Sequence, residues 1–237
     1  MPQLNKKNRE KLIDQRHQNT VNKHDKKLFP KNSLFVTAHP DDECMFYGPT
    51  IIKLIKNHVQ VYILCFSSGV NDREKKVRKG ELQSSCQHPG IDKNHVSVLD
   101  SPLFPDSIKT SWPVIDVATE IENYIFRNEI QTVYTFDEGG VSGLPNHISL
   151  YKAVRHLVHC SRVTSYCKFY CLKSVPPIQK YIFYGRECRG HIFAANNEGR
   201  LKIERAIQRH ASQYVWFRKV YITFSVYTRR NVFFPLN

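Results

Sequence analysis

Two polar clusters, each directly after an apolar run, carry side chains that could hold a metal ion and activate water. The first cluster, Ala38–Glu43 (AHPDDE), follows the run LFVTA. His39 and Asp42 are three residues apart at a predicted strand-to-helix turn, so both could face one ion through the imidazole and carboxylate ligands common in zinc sites. Asp41 lies where it could accept a proton from water at such a site. Taken alone, this cluster equally fits an acidic turn that caps the next helix.

The second cluster, Gly139–His147 (GGVSGLPNH), supplies a third candidate ligand. A catalytic zinc site uses three protein ligands and keeps one position open for water. His147 is predicted to begin a helix, and the preceding glycines let the backbone approach a ligand closely. Although a lone histidine is usually structural, a histidine in a glycine-rich loop at the same sheet edge as the first cluster favours a metal site.

Strands and helices must alternate along the chain to bring the two clusters together. Apolar runs predict strands, and 3.6-residue periodicity predicts helices between them. The alternation predicts an α/β domain with a parallel sheet and right-handed crossovers. Ligands of such sheets bind beyond the carboxyl ends of the strands, where both clusters begin. The predicted strands are 34–38, 59–66, 96–99 and 132–136, with 168–172 and 181–184 as further candidates; the predicted helices are 49–57, 73–86, 114–128, 147–158 and 198–213.

The charge of the chain favours an anionic partner. The 237 residues carry 35 Lys and Arg against 21 Asp and Glu, for a formal net charge of +14. Nucleic acid and an anionic membrane surface are both compatible with this excess, and so is a solvated basic surface without a partner. Because no nucleic-acid recognition motif is found, we expect no specific nucleic acid.

Composition also divides the chain. Residues 1–32 predict a flexible basic arm, without an apolar stretch long enough for a signal peptide or a membrane span, and 33–237 predict the folded domain. The seven cysteines have no disulfide-framework spacing, and Cys167 and Cys171 lie in a strand-like run typical of buried free thiols. With no Asn-x-Ser/Thr site in the sequence, this favours a reducing, non-lumenal location.

The paired motifs resemble the signature of the PIG-L/LmbE family of metal-dependent de-N-acetylases. AHPDDE follows the first predicted strand, and GGVSG-x-x-NH follows a later one. The similarity extends to PTIIKL, RKGEL, TFDEGGVSG and SQYVWFRKVYITFS, and it covers roughly residues 34–227. The C-terminal part is similar to the branch of the family that acts in GPI-anchor synthesis rather than to bacterial relatives that act on soluble sugars.

The resemblance implies an LmbE-like fold, in which helices flank a Rossmann-like, mostly parallel sheet. It further implies a divalent metal, usually zinc, held by His39, Asp42 and His147, with Asp41 as the general base. Arg78 and Glu81 match a family segment near the sugar and polar head of the substrate, which implies substrate-binding residues. Asp137 ends its strand near the site and could orient His147 or a substrate hydroxyl. Asn146 stands where relatives carry Asn or Asp, and it too is expected to lie just behind the ligands. The structural alternative for the first two is an ion pair on one helix.

The implied reaction is removal of the acetyl group from N-acetylglucosaminyl-phosphatidylinositol, at the cytoplasmic side of the endoplasmic reticulum membrane. Peripheral attachment to its anionic surface would suit the net charge. The aromatic and basic segment 214–234 could lie at that surface, or it could form a core helix and strand.

Two departures from the family keep alternatives open. Leu144 stands where many relatives carry a histidine that stabilises the oxyanion or protonates the leaving amine. A polar arm stands where the GPI-pathway enzyme usually has a membrane helix. The alternatives are a catalytically impaired paralogue that serves as a metal-binding scaffold, and a deacetylase of a soluble amino sugar.

Overall fold

A seven-stranded sheet organises the computed structural model, which describes residues 29–181 and 190–236. The strands are β1 Asn32–Thr37, β2 Gln60–Cys65, β3 Val96–Val98, β4 Thr132–Phe136, β5 Lys168–Leu172, β6 His191–Ala194 and β7 Arg230–Leu236. The helices are α1 Asp42–Phe46, α2 Gly48–Lys56, α3 Asp72–Gln87, α4 Val114–Arg127, α5 Gly140–Gly143, α6 Pro145–Cys160, α7 Pro177–Tyr181, α8 Asn197–Ile207 and α9 Trp216–Phe224. The predicted α/β class, with a mostly parallel sheet flanked by helices, is confirmed.

The sheet order is β3-β2-β1-β4-β5-β7-β6. From β3 to β5 all neighbouring strands are parallel, and β7 and then β6 add antiparallel pairs at one edge. The predicted strands 34–38, 59–66, 96–99 and 132–136 correspond to β1 to β4. These runs form strands because parallel strands covered on both faces need a continuous apolar sequence, and every residue of β1 is buried.

The helices bury their apolar stripes against the sheet or against each other. In α4 the buried residues Val117, Ala118, Ile121 and Ile125 follow helical spacing, and this face packs on α6. Their periodicity is what predicts this helix in the sequence.

The order of the strands creates the site. The chain passes from β1 to β2 and β3 on one side, then returns to place β4 on the other side of β1. Crossovers therefore leave in opposite directions from β1 and β4, which opens a crevice outside their carboxyl ends. Both polar clusters of the sequence begin at this crevice.

Three predictions, two for the second half and one for the N-terminal arm, need correction or a limit. The predicted helix 198–213 ends at Ile207, and Tyr181 closes a helix rather than beginning a strand. The rest of the predicted strand 181–184 lies outside the described residues. Of the predicted arm, residues 1–28 also lie outside them, and β1 begins at Asn32.

Two local expectations concern cysteines and membrane spans. Cys167 and Cys171 are buried and free, as predicted, and burial raises the pKa of the Cys167 thiol to about 12. Within residues 29–181 and 190–236, none of the helices combines the length and apolar character needed to span a bilayer.

Candidate active site

A pocket of about 410 Å³ lies at the carboxyl ends of β1 and β4. Its lining includes both predicted clusters together with residues from α3, α7 and α9. The lining includes His39, Asp41, Asp42, Arg78, Asp106, Leu144, His147, Tyr181, Phe217, Arg218 and Tyr221.

The predicted metal ligands converge in this pocket. One ligand atom each from His39, Asp42 and His147 lies within 4.8 Å of the others. The Nδ1 atom of His147 is 3.1 Å from the carbonyl oxygen of Gly140, an arrangement in which the ring donates from Nδ1 and turns a bare Nε2 toward Asp42, 3.6 Å away. Among the described residues this buried Nε2 has no hydrogen-bond partner. A buried nitrogen with a free lone pair beside a carboxylate fits a bound cation.

The protonation states of these groups suit metal binding. Burial lowers the pKa of His39, and it lowers the pKa of His147 to about 4, so both rings are neutral near pH 7 and can act as ligands. The Oδ2 atom of Asp42 accepts hydrogen bonds from the N–H groups of Ala38 and His39, each at 2.9 Å. These bonds aim the carboxylate into the site. Burial nevertheless raises the pKa of Asp42, a shift that a bound cation would oppose.

Asn146 links the two histidines. Its Nδ2 atom is 2.9 Å from Nε2 of His39, and its Oδ1 atom accepts the N–H of His147 at 3.0 Å. Asn146 therefore contacts both predicted histidine ligands, and its role toward a metal or a substrate stays a prediction. One side chain at the start of α6 fixes residues from both clusters.

Asp41 lies at the turn between β1 and α1 with an unusual backbone. Its backbone φ of 99° is in a region that residues other than glycine rarely adopt, so the surrounding contacts must hold the backbone there. The Asp41 carboxylate forms an ion pair with the guanidinium of Arg218 from α9. Burial raises the pKa of Asp41 to about 7, while Arg218 acts in the opposite direction. A carboxylate with this pKa can exchange a proton near neutral pH.

A buried ion pair stabilises the turn from behind. The Oε2 atom of Glu43 accepts the backbone N–H of Asp41 at 2.9 Å, and its Oε1 atom is 2.8 Å from Nε2 of His210. Ser85 donates a third bond to the same carboxylate at 2.7 Å. Burial opposes charge on both groups, but their neighbouring charges and hydrogen bonds prevail, lowering the pKa of Glu43 and raising that of His210, which favours the charged pair. The left-handed turn at Asp41 is thereby fixed from outside the pocket.

Gly140 shapes the loop that delivers His147. Its φ is 56°, and an added Cβ would lie 3.0 Å from the Cβ of His147 and 3.3 Å from the backbone nitrogen of Ile148. The close approach at Gly140 is therefore to His147 and Ile148, and the predicted approach of these glycines to a ligand stays a prediction. The next residue, Val141, also has a positive φ of 61°, which is strained for a β-branched side chain. Its N–H donates to the Oγ atom of Ser174 at 2.8 Å, which helps to hold this conformation.

Asp137 acts on this loop rather than on a metal ligand in the structure. Its carboxylate accepts the N–H of Ser174 at 2.6 Å, the hydroxyl of the same residue, and the N–H of Gly139 at 3.1 Å. The ring nitrogen of His147 is bonded to Gly140 instead. A contact of Asp137 with a substrate hydroxyl stays a prediction.

Arg78 and Glu81 diverge in their surroundings. Arg78 is buried, lines the pocket and donates to Asp106 at 2.9 Å, and Asp106 also lies 3.5 Å from Nε2 of His39. Glu81 instead accepts two bonds from Ser212, each at 2.7 Å. The partners of Arg78 among the described residues do not include Glu81, so the alternative of an ion pair between the two is wrong. The substrate-binding roles of both residues stay predictions.

The comparison with known families identifies the chain. A family model described as "PIG-L: GlcNAc-PI de-N-acetylase" matches residues 34–158, which include both polar clusters. The chain belongs to the PIG-L family.

Two relatives extend the similarity beyond the family model. The N-acetylglucosaminyl-phosphatidylinositol de-N-acetylase of Bos taurus is 38% identical over 205 residues, covering 84% of this chain and 81% of its own. The probable enzyme of the same name in Schizosaccharomyces pombe is 37% identical over 219 residues, covering 87% of each chain. A solved structure, the N,N'-diacetylchitobiose deacetylase of Pyrococcus horikoshii complexed with an inhibitor, is similar in fold, with a TM-score of 0.63 at 17% identity over 86% of this chain and 83% of that one.

Three residues of this PIG-L site were missed by the sequence reasoning. Asp106 lies in a loop after β3, and its place after a strand of the sheet is the only feature of the sequence that could have indicated it. His210 and Arg218 lie beyond residue 158, where the family model ends, and nothing in the sequence around them indicates a contact with the first motif. Leu144, by contrast, lines the pocket at the place where the sequence departs from the family pattern.

Proposed function

We propose that this PIG-L protein hydrolyses the acetamide of N-acetylglucosaminyl-phosphatidylinositol, releasing acetate and leaving glucosaminyl-phosphatidylinositol, as an early step of GPI-anchor synthesis. The observation that carries the proposal is the position of Asp41 beside the triad His39, Asp42 and His147 in one pocket. The names of relatives at 37–38% identity, which the chain matches along most of their length, support the substrate.

A divalent metal, which we propose to be zinc, would be held by His39, Asp42 and His147. When bound, such an ion polarises a carbonyl group and makes water more acidic. Asp41 accepts a proton from the attacking water, whose oxygen bonds to the acetyl carbon while the bond from that carbon to nitrogen breaks. Glu43 and His210 keep the Asp41 turn in place during this exchange.

The proton taken up by Asp41 has to reach the departing amine. Leu144 has no donor to supply it, although it lines the same pocket. We therefore assign both proton transfers to Asp41, whose pKa near neutrality suits uptake and return. Arg78 is proposed to bind the polar head of the substrate from one wall of the pocket, and Glu81 is proposed to assist from the same helix.

The proposed place of action is the cytoplasmic side of the endoplasmic reticulum membrane, with the protein attached peripherally. The support for this is the class of substrate that the relatives' names state, together with the net charge of +14. Anionic lipids attract such a charge.

The experiment that tests the function is acetate release from N-acetylglucosaminyl-phosphatidylinositol by purified, zinc-loaded protein, with Leu144→His assayed beside it. Turnover by the natural sequence, and its loss on chelation with recovery on adding zinc, would support the proposal. Turnover of a soluble N-acetylglucosamine compound alone would point instead to a soluble amino sugar as the substrate.

A second function is favoured by Leu144. A paralogue that keeps the metal site but turns over no substrate would serve as a metal-binding scaffold. Activity in Leu144→His with none in the natural sequence, at equal zinc content, would select this alternative. Losing one oxyanion-stabilising donor typically costs about 10²–10³-fold in rate, so the assay must reach that sensitivity.

A further inference from the structure

Helix α9 exposes an apolar face beside the pocket. At 100° per residue, four side chains of this helix fall within an arc of about 100°. They are Trp216, Phe217, Val220 and Phe224, which are 75%, 55%, 45% and 54% exposed. We refer to these four residues as the aromatic face. Large apolar side chains that cluster at the surface often mark an interaction site, whereas single exposed apolar residues do not.

The opposite side of α9 is held firmly by the protein. Tyr221 and Ile222 are buried, and the hydroxyl of Tyr221 donates to the carbonyl of Met45 at 3.2 Å. Arg218 pairs with Asp41 on that side. The helix is therefore fixed on its inner side, and the aromatic face does not serve the core.

The aromatic face is continuous with the pocket. Phe217 belongs to the face and also lines the pocket, next to Arg218 and Tyr221 of the same helix. Tyr181, 46% exposed, lines the pocket too, and its ring lies edge-on to Tyr221 at 6.4 Å. A surface that binds this face would therefore border the mouth of the pocket.

The segment that carries the aromatic face is basic. From Arg205 to Asn237 the sequence has six Lys and Arg residues and no Asp or Glu. Lys219 is adjacent to the arc, and its Nζ atom lies 5.3 Å from the ring centre of Tyr214. Aromatic rings combined with cations suit the headgroup zone of an anionic bilayer, where rings bury apolar area and cations meet phosphate.

We propose that the aromatic face docks on an anionic lipid bilayer and sets the mouth of the pocket at the membrane surface. This inference rests on the proposed function, because a phosphatidylinositol glycolipid keeps its tails in the bilayer while its sugar must reach Asp41. A protein partner would not require the face to adjoin the pocket, whereas a lipid-borne substrate does.

Vesicle flotation with full-length protein tests the surface without using activity. The vesicles are phosphatidylcholine with and without phosphatidylserine. Trp216→Ser/Phe224→Ser removes two exposed rings that do not line the pocket, and we expect its partitioning to fall at least about tenfold, since burying apolar area drives such binding. Lys219→Glu changes charge without removing a ring. We expect it to lose roughly tenfold on vesicles with phosphatidylserine and little on the others.

A matched control removes exposed apolar side chains from another helix. Ile115 and Phe126 of α4 are 58% and 56% exposed and lie outside the pocket lining. Ile115→Ser/Phe126→Ser should float like the natural protein. Acetate release from a water-soluble headgroup analogue without acyl chains should be the same for the natural protein and for Trp216→Ser/Phe224→Ser, while release from vesicle-borne glycolipid should fall with partitioning.

The outcomes separate this inference from the function. Equal flotation of the natural protein and Trp216→Ser/Phe224→Ser, absence of flotation, or self-association through these residues in gel filtration overturns the docking surface. Flotation that needs Trp216 and Phe224 in a protein that releases no acetate from either substrate supports the surface and overturns the proposed function alone. If Ile115→Ser/Phe126→Ser loses as much flotation as Trp216→Ser/Phe224→Ser, the docking surface is also overturned, because removing any exposed apolar side chains would then have the same effect.

Discussion

Asp41, Asp42 and His147 at the floor of the pocket are 1–3% exposed, whereas Trp216 and Phe224 beside its mouth are 75% and 54% exposed. The floor consists of charged and polar groups whose positions are fixed by several bonds each. The aromatic face consists of three rings and a valine on a helix that is anchored only on its other side. Charged groups need such support because burying them without partners is costly, while exposed rings need none. Substitutions at the floor should therefore change activity, metal binding or the free energy of unfolding far more than substitutions at the aromatic face.

Asp41→Asn should have the largest effect on activity. The amide cannot accept a proton from water, and loss of a general base costs about 10²–10⁴-fold in rate. Because Asp41 is not one of the three ligand residues, zinc content should be unchanged. The measurements are kcat for acetate release and metal analysis of the purified variant. Asp116→Asn, an exposed change on α4, is the control; full activity in Asp41→Asn would remove Asp41 from the mechanism.

His210→Ala should be the most destabilising change among the groups that support the floor from outside the pocket. It leaves Glu43 charged, fully buried and without its counter-ion, and breaking a buried pair in this way costs about 3–5 kcal/mol in the free energy of unfolding. Urea unfolding measures the loss, with the exposed His159→Ala as the control. A loss as small as in the control would mean that the pair does not support the Asp41 turn.

Gly140→Ala should weaken zinc binding by roughly 10–100-fold, the range seen when groups that orient ligands are changed. The new methyl group would press on His147 and on the backbone of Ile148. Gly143→Ala is a matched control, because Gly143 also has a positive φ, of 75°, but has open space where its Cβ would be. Zinc affinity is measured by competition with a chelator. Equal weakening in both variants would assign the effect to backbone strain instead of contact with His147.

The smallest effect is expected at the aromatic face. Trp216→Ala should change the free energy of unfolding by no more than about 0.5 kcal/mol, as exposed positions usually do. Tyr221→Ala on the same helix should cost about 3 kcal/mol, because it leaves a cavity and removes the bond to Met45. Comparing the two by urea unfolding sharpens the contrast between the faces of α9. A cost for Trp216→Ala as large as for Tyr221→Ala would show that the ring packs into the fold.

Much of the fold follows from the sequence because its rules are local. The runs that form β1 to β4 are apolar and end in polar clusters, and the stripes of α4 and α6 have helical spacing. The meeting of His39, Asp42 and His147 also follows, since parallel strands bring their carboxyl ends to one edge. The one further fact needed to bring these three residues together is that β1 and β4 are neighbours in the sheet, which no local pattern shows.

The rest depends on contacts that no spacing encodes. Glu43 and His210 are 167 residues apart, and Ser85 reaches the same carboxylate from 42 residues away. The predicted helix 198–213 ends early, at Ile207, and His210 lies in the turn that follows, where it reaches Glu43. In the C-terminal segment the alternative of a core helix and strand holds for Tyr221, which is buried, whereas Trp216 is exposed and the place of this segment at a membrane stays a prediction. A residue pattern gives amphipathic spacing but does not state what covers each face.

The first motif is completed by residues far along the chain, between positions 210 and 231, and this has a consequence for how the protein is made. His210 supports the Asp41 turn, Arg218 pairs with its carboxylate, and Asn231 donates to the carbonyl of Phe46 at 2.7 Å. During synthesis the ribosome releases the parallel strands well before these three residues emerge. The predicted metal ligands are therefore present early, but their surroundings are complete only once residues 210–231 have emerged. A chain cut short after β5 would keep the motif and lose the groups that hold Asp41 in place.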